Sequence, residues 1–197
     1  MKTLIFELRA SLLATLIIAV VGCGIYPLLV FGVAQLLFPA PANGSLIVGT
    51  DGTIHGSRLI GQQFTGDKYF QSRPSNAGAN GMSYDPTSSG GSNLGPTSQK
   101  LRDAIAQNLA AYRQENGLAT NAPVPADAVT ASASGLDPHI SPGNAALQAP
   151  RVARVRGLNL QRVQALIQQY TDTPSLGFLG DPGVNVLELN LALDGIK

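Results

Sequence analysis

The chain has 197 residues, 44% of them hydrophobic, and carries 13 Lys and Arg against 12 Asp and Glu, a formal net charge of +1. A near-neutral chain without a basic run lacks the electrostatic footprint of a nucleic-acid binder. The one cysteine, Cys23, rules out an intrachain disulfide, and the two histidines, His55 and His139, sit in no cluster with metal-ligand spacing.

Residues 1–9 form a short N-terminal segment bearing Lys2, Glu7 and Arg9, after which the chain is uncharged from Ala10 to Phe38. As a helix that stretch reaches roughly 43 Å, more than the hydrocarbon core of about 30 Å. A helix also satisfies its own amides where lipid cannot, so the composition predicts a transmembrane helix over 10–38. Lys2 and Arg9 precede it, and the next charge is Asp51. The positive-inside rule then places residues 1–9 in the cytoplasm and the rest of the chain outside. Val20-Val21-Gly22-Cys23 loosely resembles a lipoprotein cleavage site, but the apolar run continues well beyond Cys23, against cleavage there.

Within the helix Ser11, Thr15, Ala19, Cys23 and Pro27 recur every four residues, and Gly22 and Gly24 broaden the row. Small side chains allow close approach of a partner helix in lipid; a lone anchor carrying small residues by chance has the same row. Pro27 removes a backbone donor and is expected to bend the helix.

Residues 39–44 read as a proline-punctuated linker, and 45–197 as a single extracytoplasmic α+β domain. Asp51-Gly52 between Ser45–Val48 and Thr53–His55 predicts a hairpin. Residues 56–75 read as strands and turns with aromatic anchors. The stretch 74–96 is dominated by Gly, Ser, Asn and Pro, with Ala77, Ala79, Met82, Tyr84 and Leu94 as its only apolar residues. So little apolar surface predicts a loop that stays mobile until it docks on a partner.

A helix is expected from Thr97 or Ser98 to Gly117, with Leu101, Ile105, Leu109 and Tyr112 in one stripe. Ser141-Pro142 reads as a helix start. That helix is expected to break or kink at Pro150, resume through Arg156 and stop at Gly157. Arg151, Arg154 and Arg156 form a small basic patch, of a kind usually solvated or paired with carboxylates. Asn159 predicts another helix through Tyr170, with Leu160, Val163, Leu166 and Ile167 inward. In 184–193, leucines at 187, 189, 191 and 193 alternate with other residues, which argues for a half-buried strand, with a terminal helix as the alternative.

No catalytic residues are assigned. Ser132, Asp137 and His139 supply the residue types of a hydrolase triad, but ASASG is not a nucleophile elbow, and these residues read as turn and capping groups. Ser89-Gly90-Gly91-Ser92-Asn93 offers backbone amides to a phosphate or a docking partner, without the ending of a P-loop.

The strings GSRLIGQQF (56–64), YFQSRPS (69–75), SGGSNLGP (89–96), PVPADAVTASASGLD (123–137), RVARVR (151–156) and VNVLELNLAL (184–193) together resemble the C subunit of bacterial Kdp-type potassium-transporting ATPases. The resemblance covers essentially the whole chain. It implies a non-catalytic, single-pass inner-membrane subunit of a high-affinity potassium uptake complex. Its implied partners are a channel-like potassium-translocating subunit and a catalytic P-type ATPase subunit. The family is described both as stabilising assembly and as assisting ATP binding, with its glycine-serine loop likened to the ABC-transporter signature. Here Ser92 stands where that signature has glutamine.

Overall fold

The computed structural model describes residues 2–78 and 84–195. By internal contacts it divides into two compact units, Met1–Leu46 and Ile47–Lys197. In the first, α1 (Lys2–Val20), a π-helical turn (Val21–Ile25) and α2 (Tyr26–Leu37) follow without a break, and Pro39–Ala42 forms a further helical turn, α3. Leu4–Leu37 is long and apolar enough to cross a membrane. The wide turn carries a bond from Tyr26 N–H back to Val21 O. It stands directly before Pro27, which has no N–H of its own, so the disturbance expected at the proline is taken up by the preceding turn. The predicted linker is partly helical: the Asn43 side chain donates to Pro39 O at 2.7 Å and to Gln35 Oε1 at 3.0 Å.

The second unit is α+β. The expected hairpin forms between β1 (Leu46–Val48) and β2 (Ile54–Ser57), closed by Gly49 N–H donating to Thr53 O at 2.8 Å. A three-stranded antiparallel sheet has the order β3 (His139–Ile140), β5 (Gly183–Asn185), β4 (Thr171–Asp172), with Ile140 and Thr171 both opposite Val184. Helices α4 (Gln99–Asn116), α5 (Pro142–Arg156) and α6 (Leu160–Gln169) begin at Ser98, Ser141 and Asn159, each of which accepts a backbone N–H through its side chain. Gly117 and Gly157 end α4 and α5 with φ +64°, a conformation open to glycine at little cost. The main core joins Phe70, Ile140, Val152, Val163, Val184 and Leu189, and a smaller cluster joins Tyr112, Ala128 and Val129.

Four expectations are corrected. First, α5 passes through Pro150 without interruption. Ala149 on one side and Arg151 and Val152 on the other are all buried, so packing on both flanks outweighs the one lost bond. Second, residues 186–193 are not a strand. They form α7 (Val186–Leu193), capped by the Asn185 side chain accepting Glu188 N–H at 3.1 Å. Third, Leu160 is exposed rather than inward-facing.

The fourth concerns the arginines. Arg151 is 2% exposed. Its guanidinium donates to Asp67 O (2.6 Å), Tyr69 O (3.0 Å), Asn116 Oδ1 (3.0 Å) and Gln148 Oε1 (3.0 Å). Burial pulls its pKa down, and nearby Glu115 and Asp67 oppose the shift. Arg156 donates to Lys68 O (2.6 Å), Leu193 O (2.9 Å) and Asp194 Oδ1 (2.8 Å). These two side chains are internal struts. Replacing Arg151 with Met leaves the buried Asn116 Oδ1 and the part-buried Asp67 and Tyr69 carbonyls without this donor and should lower stability by about 3 kcal/mol or more. Arg151→Lys should recover only part of that, because an ammonium lacks the planar fork. Thermal melting of the detergent-solubilised chain, followed by circular dichroism, checks this; unchanged melting in Arg151→Met would refute it.

Candidate functional site

The structure separates the predicted site residues into two places. In the first unit Ser11, Thr15, Ala19 and Cys23 line one open groove of about 850 Å³, walled by Leu12, Leu16, Val20, Ile25 and Leu28. Gly24 also lines it, whereas Gly22 and Pro27 do not. A four-residue spacing drifts by about 40° per step around an ideal helix, so a long row leaves the face on which it began. The Ser11 hydroxyl donates to Leu8 O at 3.0 Å, which leaves the groove surface largely apolar.

In the second unit Ser89–Asn93 lies against the turn Ser132–Gly135. Gly90 N–H and the Ser89 hydroxyl both donate to Ser134 O, each at 2.9 Å. A Cβ on Gly91 would fall 2.7 Å from Ala133 O, and one on Gly135 (φ +70°) would fall 2.7 Å from both Ala77 N and Gly90 O. Nothing lies within 4 Å of a Cβ built on Gly90. Ser92 Oγ accepts Leu94 N–H at 3.5 Å, and Asn93 has φ +52°. The described parts of 74–96 are thus fastened to the body of the domain: Ser75 Oγ donates to Gly135 O (2.6 Å), Tyr84 Oη to Arg73 O (2.6 Å), and Ala77 is fully buried. This differs from the free loop expected from its composition, because hydrogen bonds to backbone carbonyls do the ordering that apolar burial cannot. Ala79 and Met82 lie outside the described residues. Gly91 and Ser92 also border a cleft of about 600 Å³ against α4, with Lys100, Leu101 and Ile105 on its other wall.

A third constellation escaped sequence reasoning. Glu188 accepts from Arg58 Nε at 3.0 Å, and Arg58 Nη2 reaches Asp172. His139 Nε2 lies 2.9 Å from Asp172 Oδ2 and its Nδ1 3.8 Å from Asp137 Oδ1, while Arg73 Nη1 donates to Asp137 Oδ2 at 2.9 Å. The hydrogen bond to Glu188 raises the Arg58 pKa, with burial opposing it. This run of contacts ties β3 and β4 to the segments that carry Arg58, Arg73 and Glu188. Asp137 also accepts His139 N–H at 3.0 Å, the turn-capping role expected of it. Ser132 is buried and does not line the cleft of about 410 Å³ beside His139. The Ser141 hydroxyl in that cleft donates to Asp127 at 2.8 Å. These contacts build no triad. The only sequence signal for that run was the mixture of charges, since Arg58 and Glu188 stand 130 residues apart.

Comparison with known proteins matches residues 8–195 to the family described as KdpC: K+-transporting ATPase, c chain. The chain is 54% identical over 188 residues, 95% of its length, to the potassium-transporting ATPase KdpC subunit of Nitratidesulfovibrio vulgaris, of which that alignment covers 93%. It is 53% identical over 188 residues to the KdpC subunit of Mycobacterium tuberculosis (strain H37Rv), covering 95% of this chain and 97% of that one. With the KdpC subunit of Koribacter versatilis it shares 50% identity over 191 residues, 97% of this chain and 95% of the relative.

The two glycines of the Ser89–Asn93 segment should respond differently to substitution. Gly91→Val drives a branched side chain into the Ala133 carbonyl and should destabilise the domain by about 1–3 kcal/mol. Gly90→Ala meets open space and should stay within about 0.5 kcal/mol of the parent. Equal melting temperatures for the two variants would contradict this assignment.

Proposed function

The chain belongs to the K+-transporting ATPase c-chain family, and we propose that it acts in assembling and stabilising the pump from both its membrane helix and its outer domain. In keeping with that family it is a non-catalytic accessory subunit of an ATP-driven potassium uptake complex and crosses the inner membrane once. Its partners there are a channel-like potassium-translocating subunit and the catalytic P-type ATPase subunit. The observation that carries the assembly role is the family match over 8–195, which spans helix and domain alike.

Two structural features support it. No residue of the 4–37 helix is buried within the chain, so the helix depends on lipid or on other helices for its contacts. The groove along Ser11, Thr15, Ala19 and Cys23 suits close approach of a second helix, where dispersion contacts take the place of a hydrophobic driving force. The alternative, that Ser89–Asn93 assists ATP binding, is less well supported, because Gly90 N–H and the Ser89 hydroxyl are already committed to Ser134 O. The segment is better explained as a stitch that shapes the domain surface.

We further propose that residues 1–9 lie in the cytoplasm and the domain outside, on the basis of Lys2 and Arg9 before the helix and no charge after it until Asp51. Thr120 is exposed on the domain. In a Cys23→Ser background, Thr120→Cys should react with a membrane-impermeant maleimide in intact spheroplasts; labelling that requires lysis would reverse the topology.

The groove is tested by bulk. Ala19→Phe fills it and should lower retention of the chain in the purified complex by about tenfold, with insertion unchanged. Ile18→Phe, on a residue outside the groove lining, should leave retention near the parent level. Equal retention of the two variants would mean that the groove merely faces lipid.

A further inference from the structure

Between β4 and β5 the chain makes a tight reversal that exposes three large apolar side chains together: Leu176 at 83%, Phe178 at 74% and Leu179 at 52%. The turn is closed by Ser175 N–H donating to Leu179 O (3.0 Å) and Leu179 N–H donating to Ser175 O (2.9 Å), with Gly177 N–H donating to Pro174 O (3.0 Å). Leu176 has φ +56°, in the left-handed region that leucine seldom adopts. In the isolated fold this residue is unfavourable twice over, in backbone conformation and in exposure. Strain held at an exposed apolar residue points to use outside the chain itself.

The surroundings narrow what that use is. From Val163 to Gly195 the sequence contains Asp172, Asp181, Glu188 and Asp194 and no Lys or Arg. Asp172, Glu188 and Asp194 are paired with Arg58, His139 or Arg156. Asp181, exposed two residues beyond Leu179, makes no ion pair among the described residues. An apolar tip beside a free carboxylate is repelled by anionic headgroups and matches an apolar pocket with a cationic rim.

We propose that the Leu176–Leu179 tip is a docking knob, with Leu176 and Phe178 as anchors, for such a pocket on another protein subunit of the same complex. This rests on the reading of the chain as an assembly subunit and names the surface through which its outer domain engages a partner. Asp181 supplies the polar contact at the edge of the knob.

The test uses the purified, detergent-solubilised complex carrying Ser175→Cys, an exposed position at the foot of the turn that leaves both anchors in place, in a Cys23→Ser background and labelled with acrylodan. The label should shift to the blue and lose most of its quenching by iodide on assembly, relative to the same chain alone. Leu176→Gly relieves the left-handed strain, so it should melt no lower than the parent yet be retained in the complex about tenfold less. Asp181→Lys should weaken retention as well. A label that stays fully quenched in a complex that does contain the chain would overturn the docking knob and leave the assembly role intact. Failure of the unsubstituted chain to associate with any other subunit would overturn both. A blue shift of the chain alone on vesicles of phosphatidylglycerol and phosphatidylethanolamine, with no further change on assembly, would assign the tip to lipid and overturn the proposal. Unchanged retention of Leu176→Gly or Asp181→Lys would likewise count against it.

Discussion

The second unit depends on how one stretch without secondary structure, Asp67 to Gln71, is accommodated beside a hydrophobic core. Phe70 is fully buried there, so its own peptide groups need partners that neither water nor a sheet provides. Side chains from two helices supply them. Asn190 of α7 accepts Phe70 N–H at 2.9 Å and donates to Phe70 O at 2.8 Å. Gln148 of α5 does the same for Gln71, at 2.8 and 3.1 Å. Arg151 and Arg156 take the carbonyls of Asp67, Lys68 and Tyr69. In effect α5 and α7 present amides and guanidiniums where a β-ladder would present a neighbouring strand. The cost is a buried charge, and the return is a fixed register, because a one-residue slip would unpair several groups at once.

The same solution recurs at the glycine-rich segment. Ser89 and Gly90 bond to Ser134, Ser75 to Gly135, and glycine at 91 and 135 permits the two backbones to touch. A domain with strands of only two to four residues has little ladder to hold it. Its irregular segments are held instead by side chain to backbone bonds between places far apart in sequence. Such contacts tolerate few residue types. Several of the strings on which the resemblance rests hold residues that bond one another here: YFQSRPS meets RVARVR and VNVLELNLAL, and SGGSNLGP meets VTASASGLD.

What could be read from the sequence was whatever local chemistry decides. The caps at Ser98, Ser141 and Asn159, the stops at Gly117 and Gly157, the hairpin at Asp51-Gly52 and the apolar helix all follow from residues within a few positions of one another. The failures share one cause. Arg151 looked like surface because charge ordinarily means exposure, and its partner Asp67 lies 84 residues away. The leucines of α7 showed a period of two because Glu188 and Asn190 fall between them. Asn190 is polar yet buried, so the alternation was not that of an exposed and a covered face. The cap pair Asn185 and Glu188 was the local signal that could have corrected it. At the membrane groove the sequence supplied the four small residues but not the flanking walls. Gly22 and Pro27 of the row lie outside that groove's lining.

The division between the two units follows from what each does with its polar groups. In the domain, most buried polar side chains are tied into the backbone, and the 176–179 tip is among the places where large apolar side chains stay exposed. Among the described residues of the helix none is buried, and the wide turn at Val21–Ile25 contributes Cys23, Gly24 and Ile25 to the groove. A helix in lipid gains no hydrophobic free energy by exchanging lipid for a neighbouring helix, so association would rest on shape and dispersion contacts. Shape here is set by alternating small and large residues, with Ala19 between the bulk of Leu16 and Val20. A subunit so constructed has no chemistry of its own to perform. Its sequence instead fixes two surfaces, the groove of the helix and the 176–179 tip of the domain, that we propose as its contacts with other chains of the pump.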